Sequence, residues 1–154
     1  MHSNVWGPAQ VALLSGSHYY FIFIDKSTWK TWVYFLKKKY DVFETFKKWK
    51  SLVEIEIGKK LKCLRSDNRG EYCTKSFEYY CFVNRTKRWK TILGTPQENG
   101  VFERMNRTII EHARSMRLHV GLPLHLWVDA LNISIYLINR WPSTPLDGGN
   151  LEVA

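Results

Sequence analysis

Two carboxylates stand where chemistry could be done. Asp67 closes an apolar run in KCLRSDNRGEY (62–72), and strand ends in open α/β sheets are where sites are built. Glu103 lies one residue past Phe102, a position on the apolar stripe of a helical segment. Its side chain therefore sits about 100° round the helix axis, near the helix start, and can face a cleft instead of the core. Such groups could hold a pair of hard divalent cations. Two cations roughly 3.5–4 Å apart activate an attacking oxygen and stabilise the leaving one in phosphoryl transfer, and Mg²⁺ needs only a few carboxylate oxygens because it keeps several waters. Arg104, Arg107, Arg114 and Arg117 share the helix of Glu103 and could meet phosphates. Taken alone, the pair is a weak pattern: Asp67 is more commonly a turn residue, and Glu103 a charge at a helix start.

The elements that must position these groups are legible from periodicity. Residues 18–25 (HYYFIFID) and 30–38 (KTWVYFLKK) read as two strands around a DKST turn, an antiparallel hairpin. Asp41 with Glu44 forms a capping box for a helix whose stripe is Val42, Phe46, Trp49, Val53 and Ile57, ended by Gly58. Lys47, Lys48 and Lys50 fall largely off that stripe. Residues 60–67 read as a short strand, 75–84 as a short helix and 88–93 as another strand. GTPQENG (94–100) reads as a loop by its Gly, Pro and Asn content. A long helix follows from Val101 to about Val120, with the stripe Phe102, Met105, Ile109, Ala113, Met116 and Val120. Gly121 and Pro123 stop it, and a last helix spans about 124–139. The order predicts an α/β domain with helices covering a mixed sheet.

Length and composition agree with this picture. The 154 residues suit one domain, and a chain of this size buries roughly 70% of its unfolded surface. The formal net charge of +9 favours polyanionic partners, nucleic acid before anionic membrane. Three cysteines (Cys63, Cys73, Cys81) make no C-x-x-C pair, and the five histidines show no metal-binding spacing. Neither a disulfide framework nor a zinc site is expected. No apolar run approaches the roughly 18 residues of a membrane span, and the N-terminus lacks the pattern of a secretory signal. We expect an intracellular location.

Seven segments carry a resemblance: HSNVWGP (2–8), FIFID (21–25), KTWVYFLKKK (30–39), KCLRSDNRGEY (62–72), TPQENGVFERMNRTIIEHARSM (95–116), GLPLHLW (121–127) and YLINRWPSTPL (136–146). Together they resemble the integrase catalytic core of copia-type LTR retrotransposons, across residues 2–146. SDN-x-GEY and TPQ-x-NG-x-x-ERMNRT are specific in combination. The resemblance implies a ribonuclease-H-like fold, a mixed sheet flanked by helices. It also implies an Asp, Asp, Glu triad that holds Mg²⁺ or Mn²⁺, DNA as partner, and assembly into homo-oligomers. The family separates its last two acids by thirty-five residues, and here residues 68–102 lie between Asp67 and Glu103. By the resemblance Asp67 is the second acid and Glu103 the third.

The first acid belongs in H-S-D-V-x-G-P, and this chain has Asn4 there. Three carboxylates become two, and a charge beside dications weighs heavily in a partly buried site. Weakened metal binding and a large loss of rate are expected. Other departures are Arg69 for a Gly, Phe102 for a small residue, and Leu93-Gly94 for Pro and Tyr before TPQ. Arg69 either strains the backbone or contacts phosphate. The strand bearing Asn4 is expected to be central and N-terminally truncated, and residues 147–154 to form a disordered tail. Three readings follow: an impaired integrase core, a DNA-binding module without catalysis, and a decayed transposon fragment. Candidate DNA contacts are Lys37, Lys38, Lys39, Arg69, Arg104, Arg107, Arg114 and Arg117. The lysine run reads more commonly as a solvated face. The DNA substrate points to a nuclear location.

Overall fold

A strand buried on both faces reads as a continuous apolar run, and YYFIFI is such a run at the heart of this fold. The computed structural model describes residues 1–8, 16–66, 70–90 and 96–140, with side chains except at 71, 96–99, 101, 102 and 124. Five strands, β1 (His2–Trp6), β2 (Tyr19–Ile24), β3 (Thr31–Leu36), β4 (Cys63–Ser66) and β5 (Lys87–Lys90), form one sheet in the order β3-β2-β1-β4-β5. The β2–β3 and β1–β2 pairs are antiparallel, and β1–β4 and β4–β5 are parallel. Helices α1 (Val42–Ile57), α2 (Lys75–Val83), α3 (Pro96–Val120) and α4 (Trp127–Arg140) complete it.

Alternation along the strands sorts side chains into two cores. Val5, Phe21, Phe23 and Leu64 pack with Val42, Phe46, Trp49 and Val53 of α1 and Phe77 and Cys81 of α2. Trp49 stacks on Phe23, with centroids 3.8 Å apart. On the other face Tyr20, Ile22 and Ile24 meet Ile109 and Ala113 of α3 and Ala130, Leu131 and Ile135 of α4. Edge strand β3 is tied to α4 by buried Asn139, which accepts from Thr31 N at 2.9 Å and donates to Thr31 O at 2.8 Å.

Four expectations need correction. The α3 helix begins at Pro96, so residues 96–100 are helical and not loop. A proline is well placed in a first helical turn, where its missing N–H leaves no partner wanting. The Asp41–Glu44 capping box does not form. Instead Asp41 is helical, its carboxylate accepts from Lys38 N at 3.2 Å, and Glu44 pairs with Lys47. The stripes fray at their ends, with Ile57 and Val120 exposed. Lys50 is buried, its ammonium 2.8 Å from Glu54, whose carboxylate also accepts from Leu61 N at 2.7 Å.

The hairpin, both helix stops at glycines with positive φ (Gly58 and Gly121), and the central place of β1 match expectation. Over its five residues β1 pairs with β2 throughout, and Met1 O accepts from Arg65 N at 2.9 Å. The predicted tail lies outside the described residues. No helix among the described residues is long and apolar enough to cross a membrane.

Candidate metal centre and nucleic-acid interface

Asn4 occupies the middle of the central strand, opposite Ile22. Its neighbour Val5 enters the core under α1 and α2, so Asn4 projects to the α3–α4 side. The residue is half-buried, and its side-chain oxygen is buried without a hydrogen-bond partner. A buried acceptor left without a donor costs about 1–3 kcal/mol, and a cation in contact with it would remove that cost. The donor type fits a hard metal ion, although the oxygen is neutral. Strand β4 ends at Ser66 beside Ser3, one residue short of Asn4 along the parallel pair. Asp67, Arg69, Leu93 and Gly94 lie outside the described residues, as does the Phe102 side chain.

Glu103 is exposed on α3. One turn later Asn106 accepts a 2.7 Å hydrogen bond from the Tyr20 hydroxyl, and Tyr20 stacks on Trp6 at 5.1 Å. Burial pushes the Tyr20 phenol pKa far up, against the smaller opposing effect of Asn106, so the hydroxyl stays a donor. Residues three apart share a helix side. This bond therefore presents the Glu103 side of α3 to the sheet near Trp6, two residues along β1 from Asn4. Residue pattern did not single out Tyr20 or Asn106. The available signal was the Asn three places after Glu103 in ERMN. Among the described residues, no three His, Cys, Asp or Glu side chains are grouped to hold a metal ion.

The basic candidates fall in two places. Arg104, Arg107 and Arg114 are exposed along α3. Arg104 Nε donates to Gly100 O at 3.4 Å. Arg117 is half-buried and gives Nη1 to Leu122 O at 3.2 Å, which secures the end of α3. Lys37, Lys38 and Lys39 are exposed just past β3, and Lys38 lies 5.3 Å from the centroid of the Tyr40 ring. Leu36 pairs with Tyr19, and Tyr20 pairs with Trp6. The lysines therefore stand at the end of the sheet where β1 finishes.

Comparison with known proteins gives this geometry a context. The chain is 50% identical over 146 residues to the retrovirus-related Pol polyprotein from transposon TNT 1-94 of Nicotiana tabacum, covering 95% of this chain and 11% of that protein. It is 36% identical to the corresponding polyprotein of transposon RE2 from Arabidopsis thaliana, covering 95% of this chain and 10% of that one. The chain thus spans about a tenth of the length of the curated relatives it matches. No family model matches it. Among solved structures, the HTLV-2 integrase catalytic core domain in complex with magnesium, in a trimeric form, superposes with a TM-score of 0.66 at 18% identity. That match covers 99% of this chain and 93% of that one. Across 95% of its length the chain is thus homologous to a segment of the retrovirus-related Pol polyproteins of plant copia-type transposons, and its fold is the ribonuclease-H-like fold of integrase catalytic cores.

Proposed function

We propose that this integrase-like domain binds DNA, and that Asn4, Asp67 and Glu103 are the ligand set of a divalent-metal site for polynucleotidyl transfer, impaired by the Asn. The observation that carries this is the buried Asn4 oxygen without a donor, in the middle of the central strand beside the end of β4. When bound, Mg²⁺ or Mn²⁺ would activate a water or a DNA 3′-hydroxyl and stabilise the leaving oxygen. The chain's part is to hold oxygens in place. Asn4 offers a carbonyl on a rigid strand, and Glu103 a carboxylate on a helix that Tyr20 and Asn106 tether. The charge deficit at Asn4 is the impairment. The bound magnesium and trimeric form of the HTLV-2 domain support a metal and homo-oligomers here, and a DNA-directed role implies work in the nucleus.

The test is a DNA cleavage and strand-transfer assay with Mg²⁺ or Mn²⁺, on this chain and on Asn4→Asp, both checked for folding. Activity gained by about a hundredfold or more in Asn4→Asp alone supports the reading. Equal activity in both overturns the impairment, and no activity in either favours a second reading. That reading is a DNA-binding module without catalysis. The neutral Asn4 and the exposed arginines of α3 speak for it, because binding charge survives loss of the metal site.

A further inference from the structure

The sheet face that carries Asn4 is covered unevenly. Its apolar core draws on β2, α3 and α4, and no residue of β4 or β5 belongs to it. On β4, Leu64 is buried on the opposite face, so Arg65 projects to the Asn4 side. Trp89 is directly opposite Arg65 in the parallel ladder, and Lys87 is two residues before it on the same face. Trp89 is 45% exposed, a large aromatic on an edge strand. The Arg65 guanidinium lies 5.1 Å from its ring centroid and the Lys87 ammonium 5.0 Å. The remaining cations of β5 serve the other face: Arg88 packs on Phe77 at 5.1 Å, and Arg88 and Lys90 both pair with Glu78.

We propose that Arg65 and Lys87, held in place by Trp89, form a DNA-backbone platform continuous with the candidate metal centre. This rests on the DNA-directed reading above and extends it to residues that neither motif nor charge run marks. Three observations support it. A ring that holds two long cationic side chains removes part of the entropy they would lose on meeting phosphates. Residues on this face of β4 and β5 are Cys63, Arg65, Lys87 and Trp89, with no carboxylate among them. Arg65 is the Cα partner of His2, which shares its face with Asn4 two residues along. DNA engaged at Asn4 and running along this face toward His2 would therefore meet Arg65 first and Lys87 beyond it. Phosphates are the matching partner, because the face offers N–H donors and positive charge. Trp89 is a positioning residue and need not touch the DNA.

The experiment is metal-free binding of a short labelled DNA duplex, titrated from about 50 to about 200 mM salt. It compares the unaltered chain, Arg65→Gln/Lys87→Gln, Lys87→Gln and Trp89→Leu, each verified by thermal melting. Each lost phosphate contact lowers the slope of log affinity against log salt by about 0.9. The double variant should lose close to 1.8, and Lys87→Gln close to 0.9. Lys87 is exposed on an edge strand, so that single variant serves if the double variant fails to fold. Trp89→Leu should weaken binding by about two- to fivefold with little change in slope, since the charges remain but are less ordered. Trp89→Phe should recover part of that loss. If the unaltered chain binds with a salt slope and the charge variants keep it, the platform is wrong and the DNA-binding reading stands. If the unaltered chain binds no duplex, both fail. If an RNA duplex binds more tightly with the same dependence on Arg65 and Lys87, the assignment to DNA is overturned.

Discussion

At Asn4 the difference between amide and carboxylate is one charge, and its sign decides what the site tolerates. The amide oxygen is buried and lacks a donor. An amide there costs about 1–3 kcal/mol, less than an isolated carboxylate would. Asn4→Asp should therefore melt lower than the natural chain in metal-free buffer at neutral pH. Burial raises the folded-state pKa of such an acid above its unfolded value. The folded form then binds more protons, and stability falls as pH rises through the carboxylate range. Added Mn²⁺ should reverse the loss in Asn4→Asp and do much less for Asn4, which calorimetry or melting with and without metal would measure. If metal leaves Asn4→Asp unmoved, no cation sits beside residue 4.

Elements are held by a few specific polar contacts, and these are testable one at a time. Asn139 satisfies both backbone groups of Thr31 while buried. Asn139→Ala should cost about 2–3 kcal/mol by urea unfolding, because two backbone groups lose their partner. Lys50 is buried against Glu54, and Lys50→Ala should cost about 3 kcal/mol, mostly from stranding the carboxylate. The β2–β3 turn is set by Asp25, whose side chain accepts from Ser27 and Thr28 at 2.5 and 2.9 Å. Burial pushes its pKa up, but these hydrogen bonds outweigh it and the net shift is downward. A lowered folded-state pKa adds stability above the unfolded value and loses it as pH falls through the folded one. Thr28→Val should therefore lower stability at neutral pH and flatten the acid limb, so that its curve meets that of the natural chain at low pH, as urea unfolding at several pH values would measure.

Across the whole molecule, charge and topology act together. Part of the net charge of +9 is carried by the lysines after β3, at the end of the sheet where β1 finishes, by exposed arginines along α3, and by Arg65 and Lys87, level with and beyond His2 where β1 begins. DNA affinity should accordingly fall steeply with salt, with a slope reflecting several phosphates. A filter-binding titration that shows a flat salt dependence would contradict a DNA-directed surface. Helix α3 joins the two requirements, since Ile109 and Ala113 pack in the core while Glu103, Arg107 and Arg114 are exposed.

Much of this is legible in the amino-acid sequence. A continuous apolar run marked β2, and apolar spacing of period 3.6 located α1 and the body of α3, because burial on one side of a helix leaves its period in the sequence. The spacing of Asp67 and Glu103 and the HSNVWGP departure marked a candidate site through family motifs. Local composition misled at 96–100, where Gly, Pro and Asn suggested a loop but helix α3 runs through. Tertiary packing outweighs such weak local preferences. It also placed Lys50 inside, where Glu54 makes burial tolerable. No pattern along the chain could bring Tyr20 to Asn106 or Arg65 and Lys87 to Trp89. Those contacts join residues far apart in sequence, and they exist because strand order and register set which side chains face each other across the sheet.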